Sequence, residues 1–242
     1  MTSRKDLSAM DLERLRGFDT CTVSNAVERL STRLRNEGFV SGAIRCRFPE
    51  LPPMVGFAAT GRVRTISPPM THRCYYDRMD WWNYVASLPK PRVMVVQDAD
   101  AKPGLGAFIG QIHASIGVAL DCVGCVTNGA ARDLPGVKAL NFHLFTGRVS
   151  VSHSYAHIID FGEPVEIGGL KIRSGDLLHG DRHGVLNIPL DVAAEIPAEA
   201  AKVLAEEKEL IDFCRSPEFS LEELATRMQQ MPGNCDVPWR PR

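Results

Sequence analysis

Residues 104–133, GLGAFIGQIHASIGVALDCVGCVTNGAARD, decide how this chain is read. Gly106 and Gly110 frame a turn. From Gln111 to Leu120 the spacing is helical, with Ile112, Ile116 and Ala119 at i, i+4 and i+7. A glycine turn that opens a helix leaves backbone N–H groups pointing at one place, which favours an anion. The run CVGCV, 122–126, reads as a buried strand, and Asn128-Gly129 breaks it before the loop ends in Arg132-Asp133. A fixed cation and a carboxylate then stand side by side. If that loop returns to the helix start, the two turns make a carboxylate-binding pocket beside a metal ligand.

Working outward toward the N-terminus, Arg92–Gln97 reads as a strand, followed by Asp98 and Asp100, two carboxylates that could serve a metal or act as a general base but read first as a solvated turn. Tyr75–Leu88, with adjacent Trp81 and Trp82, reads as a helix packed into a core or against another subunit. Phe57–Ile66 alternates as a strand does. The segment Arg33–Pro53 is irregular and long for a connector, which suggests an excursion or an interface. Before it, Thr20 or Thr22 caps a helix whose Val23, Val27 and Leu30 share a face. Ser8 caps an earlier helix that ends at Gly17.

Toward the C-terminus, Leu134-Pro135-Gly136 reads as a turn, with strands at Asn141–Phe145 and Arg148–Val151. A hairpin over 164–172 turns at Gly168-Gly169. Short strands at 177–178 and 185–188 flank a loop that carries His179 and His183. Ala193–Phe213 is a long amphipathic helix, and Ser220 with Glu223 forms a capping box for a last one. Strands alternate with helices early and cluster later, which makes the chain an α/β protein with a strand-rich half.

Composition bounds the function. The 242 residues are 44% apolar and 24% charged, as a globular core requires, and the formal net charge is −1. No basic block tracks phosphates, so nucleic acid is not an expected partner. No apolar run reaches the length of a membrane span, and the charged N-terminus lacks a signal-peptide core. Seven scattered cysteines, an odd number, suit a reducing cytoplasm.

The layout G-Q-I-H-A at 110–114 followed by G-x-V-T-N-G-A-x-R-D at 124–133 resembles the RraA-like family, which includes the divalent-metal 4-hydroxy-4-methyl-2-oxoglutarate aldolases and the ribonuclease-regulator proteins. Twenty-two positions separate Gly110 from Arg132, similar to the family's own spacing. Weaker similarities in TVSNAVERL, VGFAATGRVRT and SGDLLHGDRHGVLNIP extend it over roughly 18–190. The resemblance implies a layered β/β/α domain spanning the whole chain, 1–242, with extra N- and C-terminal helices. The C-terminal extension begins at about 191. It also implies homotrimers, or hexamers made from them, with active sites at subunit interfaces.

By the same resemblance, the backbone N–H groups of Gly110, Gln111, Ile112 and His113 hold the carboxylate of a small 2-keto acid. Arg132 meets its keto oxygen, and Asp133 ligates Mg²⁺ or Mn²⁺. The implied reaction is lyase chemistry, cleaving a C–C bond through a pyruvate enolate. One departure stands out. The aldolases usually carry an acid where this chain has Gln111, and an amide hydrogen-bonds water without taking its proton. That favours a reaction such as oxaloacetate decarboxylation, or a base from elsewhere: His113, or an acid on a neighbouring subunit, for which Glu206, Glu207 and Glu209 are candidates. The alternative is a non-catalytic regulator that binds a ribonuclease or other partner. Asp133, which the metal-free regulators lack, argues for the enzyme.

Rival motifs read as structural. Cys122 and Cys125 spell C-x-x-C inside an apolar strand, where alternation places the two thiols on opposite faces. His153/His157 and His179/His183 have zinc-like spacing without helical context. Gly104, Gly106 and Gly110 imitate a dinucleotide turn, but no acid ends the next strand.

Overall fold

A computed structural model describes residues 7–69 and 78–230. In chain order the elements are α1 (Ala9–Arg16), α2 (Thr20–Arg29), β1 (Arg45–Cys46), β2 (Met54–Arg64), α3 (Arg78–Ser87), β3 (Arg92–Asp98), β4 (Ala107–Ile109) and α4 (Gln111–Ala119). There follow β5 (Cys122–Ala131), α5 (Leu134–Ala139), β6 (His143–Val149), β7 (His157–Phe161), β8 (Val165–Ile167), β9 (Leu170–Ile172), β10 (Leu177–Asp181), β11 (Gly184–Ile188), α6 (Ile196–Cys214) and α7 (Leu221–Gln230).

One mixed sheet runs β1-β6-β5-β3-β2-β10-β11, with β4 added on β5 and β7 on β2. Its centre is parallel: β2 with β3, β3 with β5, and β5 with both β4 and β6. Strands buried on both faces must be apolar at every position, and β3 obeys: Val93 and Val95 enter one core, Met94 and Val96 the other. The first core faces the β8–β9 hairpin, whose Gly168 and Gly169 both take positive φ as a tight two-residue turn requires. The other is covered by α3, α4 and α5, with Trp81 and Trp82 buried in it. A third core joins α1, α2 and α6 to β10 and β11. The chain is therefore the layered α/β protein expected, with helices at both ends.

Several local expectations change. The N-cap of α2 is Asp19, whose carboxylate accepts from the Thr22 N–H at 2.8 Å, because Thr20 turns its hydroxyl inward to His179. Leu134-Pro135-Gly136 opens the short helix α5, and β6 is one strand where two were expected. Asn128-Gly129 does not end β5. Where β5 shifts register against β6, the Asn128 amide bonds both the N–H and the C=O of Asp98 on β3 (2.7 and 3.0 Å), extending the tie to β3 past the last paired residues. Asp98 and Asp100 are buried, not solvated. Asp98 accepts from the Gly104 and Asp100 N–H groups, Asp100 from the backbone of Thr65 and Ile66, and together they fix the loop into β4. Burial pushes the Asp98 carboxyl up despite those donors.

Cys122 and Cys125 are buried as expected but share one face. A bulge at Val123, where Arg92 pairs with Cys122 and Val93 with Gly124, reverses the parity of the strand. Desolvation pushes the Cys122 thiol up to about 12, so these are inert core cysteines. The 33–53 segment is no loose excursion. It lays Val40 and Ile44 into the hairpin-side core and pairs with β6. The start of the Tyr75–Leu88 helix and the tail from Pro232 lie outside the described residues.

Candidate active site

The site forms where β4 and β5 end. Both strands run the same way, with Ala107 beside Ala130 and Ile109 beside Ala131. The Arg132 N–H then donates to the Ile109 carbonyl at 3.0 Å. This last rung brings the start of α4 against Arg132 and Asp133, so the loop does return to the helix start. The position, at the carboxyl ends of parallel strands, is where open α/β sheets bind ligands.

Gly110 is the N-cap of α4 and offers no side-chain cap. The cap comes from across the site: the Gln111 N–H donates to Asp133 Oδ2 at 3.2 Å. A Cβ on Gly110 would lie 2.7 Å from that oxygen and 3.0 Å from Arg132 Cγ, so only glycine allows this approach. Asp133 sits at φ +56, in the left-handed region, where Asp is among the few side chains tolerated. Arg132 Nε donates to Asp133 Oδ1 at 3.3 Å. Side chains of both are more than a third exposed, so this is a surface ion pair of little stabilising worth. Its two partners still leave the carboxylate lone pairs for a further ligand.

The remaining expected residues divide. Ile112 is 75% exposed at the first turn of α4. Gln111 turns its side chain over α5, where a Cβ on Gly136 would collide with its Oε1. His113 points away from the Arg-Asp pair, its ring 4.8 Å from that of Phe108 and 5.9 Å from that of Trp82. Only its backbone N–H remains at the helix start. Glu206 and Glu207 are engaged within the chain, by Arg29 at 3.1 Å and by Asn25 at 3.1 Å. What the sequence reading missed is the support: Asn128 and Asp98 tie β5 to β3 just before the site. An N-G pair after an apolar strand was the only signal, and it resembled a break.

The rival motifs separate in space. β4 lies between Gly106 and Gly110, so no single nucleotide-binding turn forms. His153 is exposed while His157 is buried, each ring held by a nearby carbonyl. His179 is fully buried. Its Nε2 donates to the Leu15 carbonyl and its Nδ1 accepts from the Thr20 hydroxyl, so it has no lone pair left for a metal.

Among curated proteins, the chain is 34% identical over 104 residues to a Halalkalibacterium halodurans protein named "Putative 4-hydroxy-4-methyl-2-oxoglutarate aldolase", covering 43% of this chain and 48% of that one. The chain thus matches less than half the length of that relative. A solved structure of an uncharacterized protein from Pseudomonas syringae pv. tomato aligns with a TM-score of 0.69 at 25% identity, over 91% of this chain and 94% of that one. Streptomyces coelicolor RraAS2, described as an unusual member of the RNase ES inhibitor RraA family, shares the fold at 19% identity and a TM-score of 0.64, over 86% and 97% of the two chains. A family model described as RraA-like, Aldolase/RraA, matches residues 20–186. With that match over more than half its length, the chain belongs to the RraA-like family.

Proposed function

We propose that the chain is a divalent-metal-dependent lyase acting on a small 2-keto acid, an oxaloacetate decarboxylase or 4-hydroxy-4-methyl-2-oxoglutarate aldolase. The observation that supports this most is the convergence of Asp133, Arg132 and the start of α4, built around a glycine that excludes every side chain. The donor chemistry suits a hard ion. Asp133 offers oxygen alone, which matches Mg²⁺ or Mn²⁺ with water completing the shell. Charge balance supports a cation as well: a substrate carboxylate beside Asp133 puts two anions against the single cation of Arg132. Asp133 would hold such an ion, which would supply Lewis-acid polarisation of the 2-keto oxygen.

The rest falls to the chain's own groups. The first-turn N–H groups of α4, at Ile112 and His113, orient the substrate carboxylate. Arg132 presents a permanent cation where negative charge grows on the keto oxygen as the C–C bond breaks. Gln111 can hold water but cannot take a proton. Aldol cleavage must remove a hydroxyl proton, whereas loss of CO₂ from oxaloacetate needs no base. Within this one chain, decarboxylation is therefore the better-supported half of the proposal. Exposed Leu105, Ile112 and Val151 at the same end of the sheet provide an apolar surface for a second copy. A homotrimer or hexamer would bring an acid from the neighbour and reopen the aldolase.

The test is pyruvate release from oxaloacetate and from 4-hydroxy-4-methyl-2-oxoglutarate, with Mg²⁺ or EDTA and metal-only blanks. Release that needs both protein and metal is expected. Its absence with Mg²⁺ and Mn²⁺ alike would favour the second reading, a non-catalytic partner-binding protein, to which Gln111 already points. Gln111→Glu should raise aldol cleavage by roughly 10²-fold, the worth of a positioned general base. An unchanged rate would mean that the missing acid does not limit the enzyme and that this site does other work.

A further inference from the structure

The start of α2 and the turn between β10 and β11 place three ligand-type side chains together, far from Asp133. One donor atom each from Asp19, Cys21 and His183 lies within 4.8 Å of the others, and all three residues are exposed. About 160 residues separate the first two from the third, so no local spacing announces the cluster. We propose that Asp19, Cys21 and His183 form a second metal site, for Zn²⁺, which clamps α2 to the β10–β11 turn.

Three features support a built site. First, His183 is oriented from behind. Asp181 Oδ1 accepts from the His183 backbone N–H at 2.8 Å and faces its Nδ1 at 3.0 Å. With Nδ1–H held by a carboxylate, Nε2 keeps the lone pair that a cation needs, the arrangement that supports metal-bound histidines. Second, the two elements are locked in register. The other oxygen of buried Asp181 accepts from the Thr20 N–H at 2.9 Å, and Thr20 Oγ1 meets His179 Nδ1 at 3.0 Å. Little ordering is left for the metal to do. Third, Asp19 already directs its carboxylate at the helix start, bonding Thr22 through both oxygens, and a carboxylate still has lone pairs beyond those two bonds.

The donor set selects the ion. One thiolate, one imidazole and one carboxylate suit zinc, with water as a fourth ligand, and suit Mg²⁺ poorly. Bond lengths of about 2.0–2.3 Å place tetrahedral ligands roughly 3.3–3.7 Å apart, so small side-chain rotations at this exposed rim complete the site. Burial first, and then the carboxylates of Asp19, Asp181 and Glu207, push the Cys21 thiol up, so the thiol carries its proton until a cation displaces it. Binding forms a metal–sulfur bond and releases the thiol proton to solvent.

Co²⁺ titrated into the full chain stripped of metal tests the site, since a thiolate ligand gives a near-ultraviolet sulfur-to-cobalt band. The expected result is a band that saturates at one equivalent, vanishes in Cys21→Ser, and needs at least about tenfold more Co²⁺ in His183→Ala. It should be unchanged in Asp133→Ala, which keeps the clamp distinct from the candidate active site. Zn²⁺ should displace the cobalt and raise the melting temperature of the wild type but not of Cys21→Ser. No band in the wild type, a band that survives Cys21→Ser, or equal affinity in His183→Ala would overturn the proposal.

Discussion

Two aspartates of this protein, Asp133 and Asp181, hold similar positions at the ends of core strands and play opposite parts. Asp181 has a side chain only 7% exposed and accepts from the backbone of Thr20 and of His183. Burial alone would raise its carboxyl, yet these donors together hold it below the ordinary range. Asp133 has a side chain 40% exposed, in a left-handed backbone conformation, with one backbone donor and one arginine. The first carboxylate is buried, takes three hydrogen bonds from Thr20 and His183, and ties α2 to the β10–β11 turn. The second is held in place but left with unused capacity. The difference separates a structural polar group from one open to a ligand, and burial with donor count reveals it where residue type does not.

The largest effect should come from removing the more exposed carboxylate. Asp133→Ala is expected to abolish metal-dependent turnover, a loss beyond the 10–100-fold typical of supporting residues, while costing about 0.5–2 kcal/mol through the lost cap on α4 and about 1–2 kcal/mol more for alanine at φ +56. Steady-state kinetics with Mg²⁺ beside urea unfolding would read both. A loss of stability far above that range would make Asp133 structural, like Asp181.

Next, Gly110→Ala tests the close approach behind the site. Its φ of −145 suits alanine, so strain there arises from the contacts with Asp133 Oδ2 and Arg132 Cγ. A displacement of about 1 Å should cost on the order of 10²-fold in kcat/KM, with an unchanged melting curve. Unchanged kinetics would remove the argument that geometry at Gly110 positions the pair.

On the buried side, Thr20→Val keeps the shape and deletes the hydroxyl that serves His179. A buried ring nitrogen left without a partner should cost about 1–3 kcal/mol by chemical denaturation, with normal turnover.

The smallest effect is a pH dependence. Burial lowers the pKa of His179 and of His143 from 6.5. Below about pH 6.5 the unfolded chain takes up protons that the folded rings refuse, so the unfolded state binds more and acid favours it. Stability should be full above that pH and fall below it, by up to about 1.4 kcal/mol per pH unit for each histidine. Denaturation midpoints measured from about pH 7.5 to pH 5.5 would show the slope, and His179→Gln should flatten it. A flat profile in the wild type would contradict the buried, neutral rings.

Much of this was legible in the chain itself. Helical spacing identified α4, the apolar run CVGCV marked β5 as a buried strand, Arg92–Gln97 read as the strand β3, and Gly168-Gly169 marked the hairpin. These are local properties, in which side-chain period and backbone freedom act within a few residues. The Arg132-Asp133 pair and its spacing of 22 positions from Gly110 were also visible, but whether the loop returns to the helix start was not.

Only the tertiary structure decided what those residues face. The bulge at Val123 that turned Cys122 to the side of Cys125 depends on pairing with β3, which no local pattern specifies. The burial of Asp98 and Asp100 depends on donors brought by the backbone of Thr65, Ile66 and Gly104. The meeting of Asp19 and Cys21 with His183 depends on α2 packing beside the β10–β11 hairpin. Periodicity reports which face of an element is apolar. Which polar groups then share that burial, and which are left open to a ligand, is settled when distant segments dock.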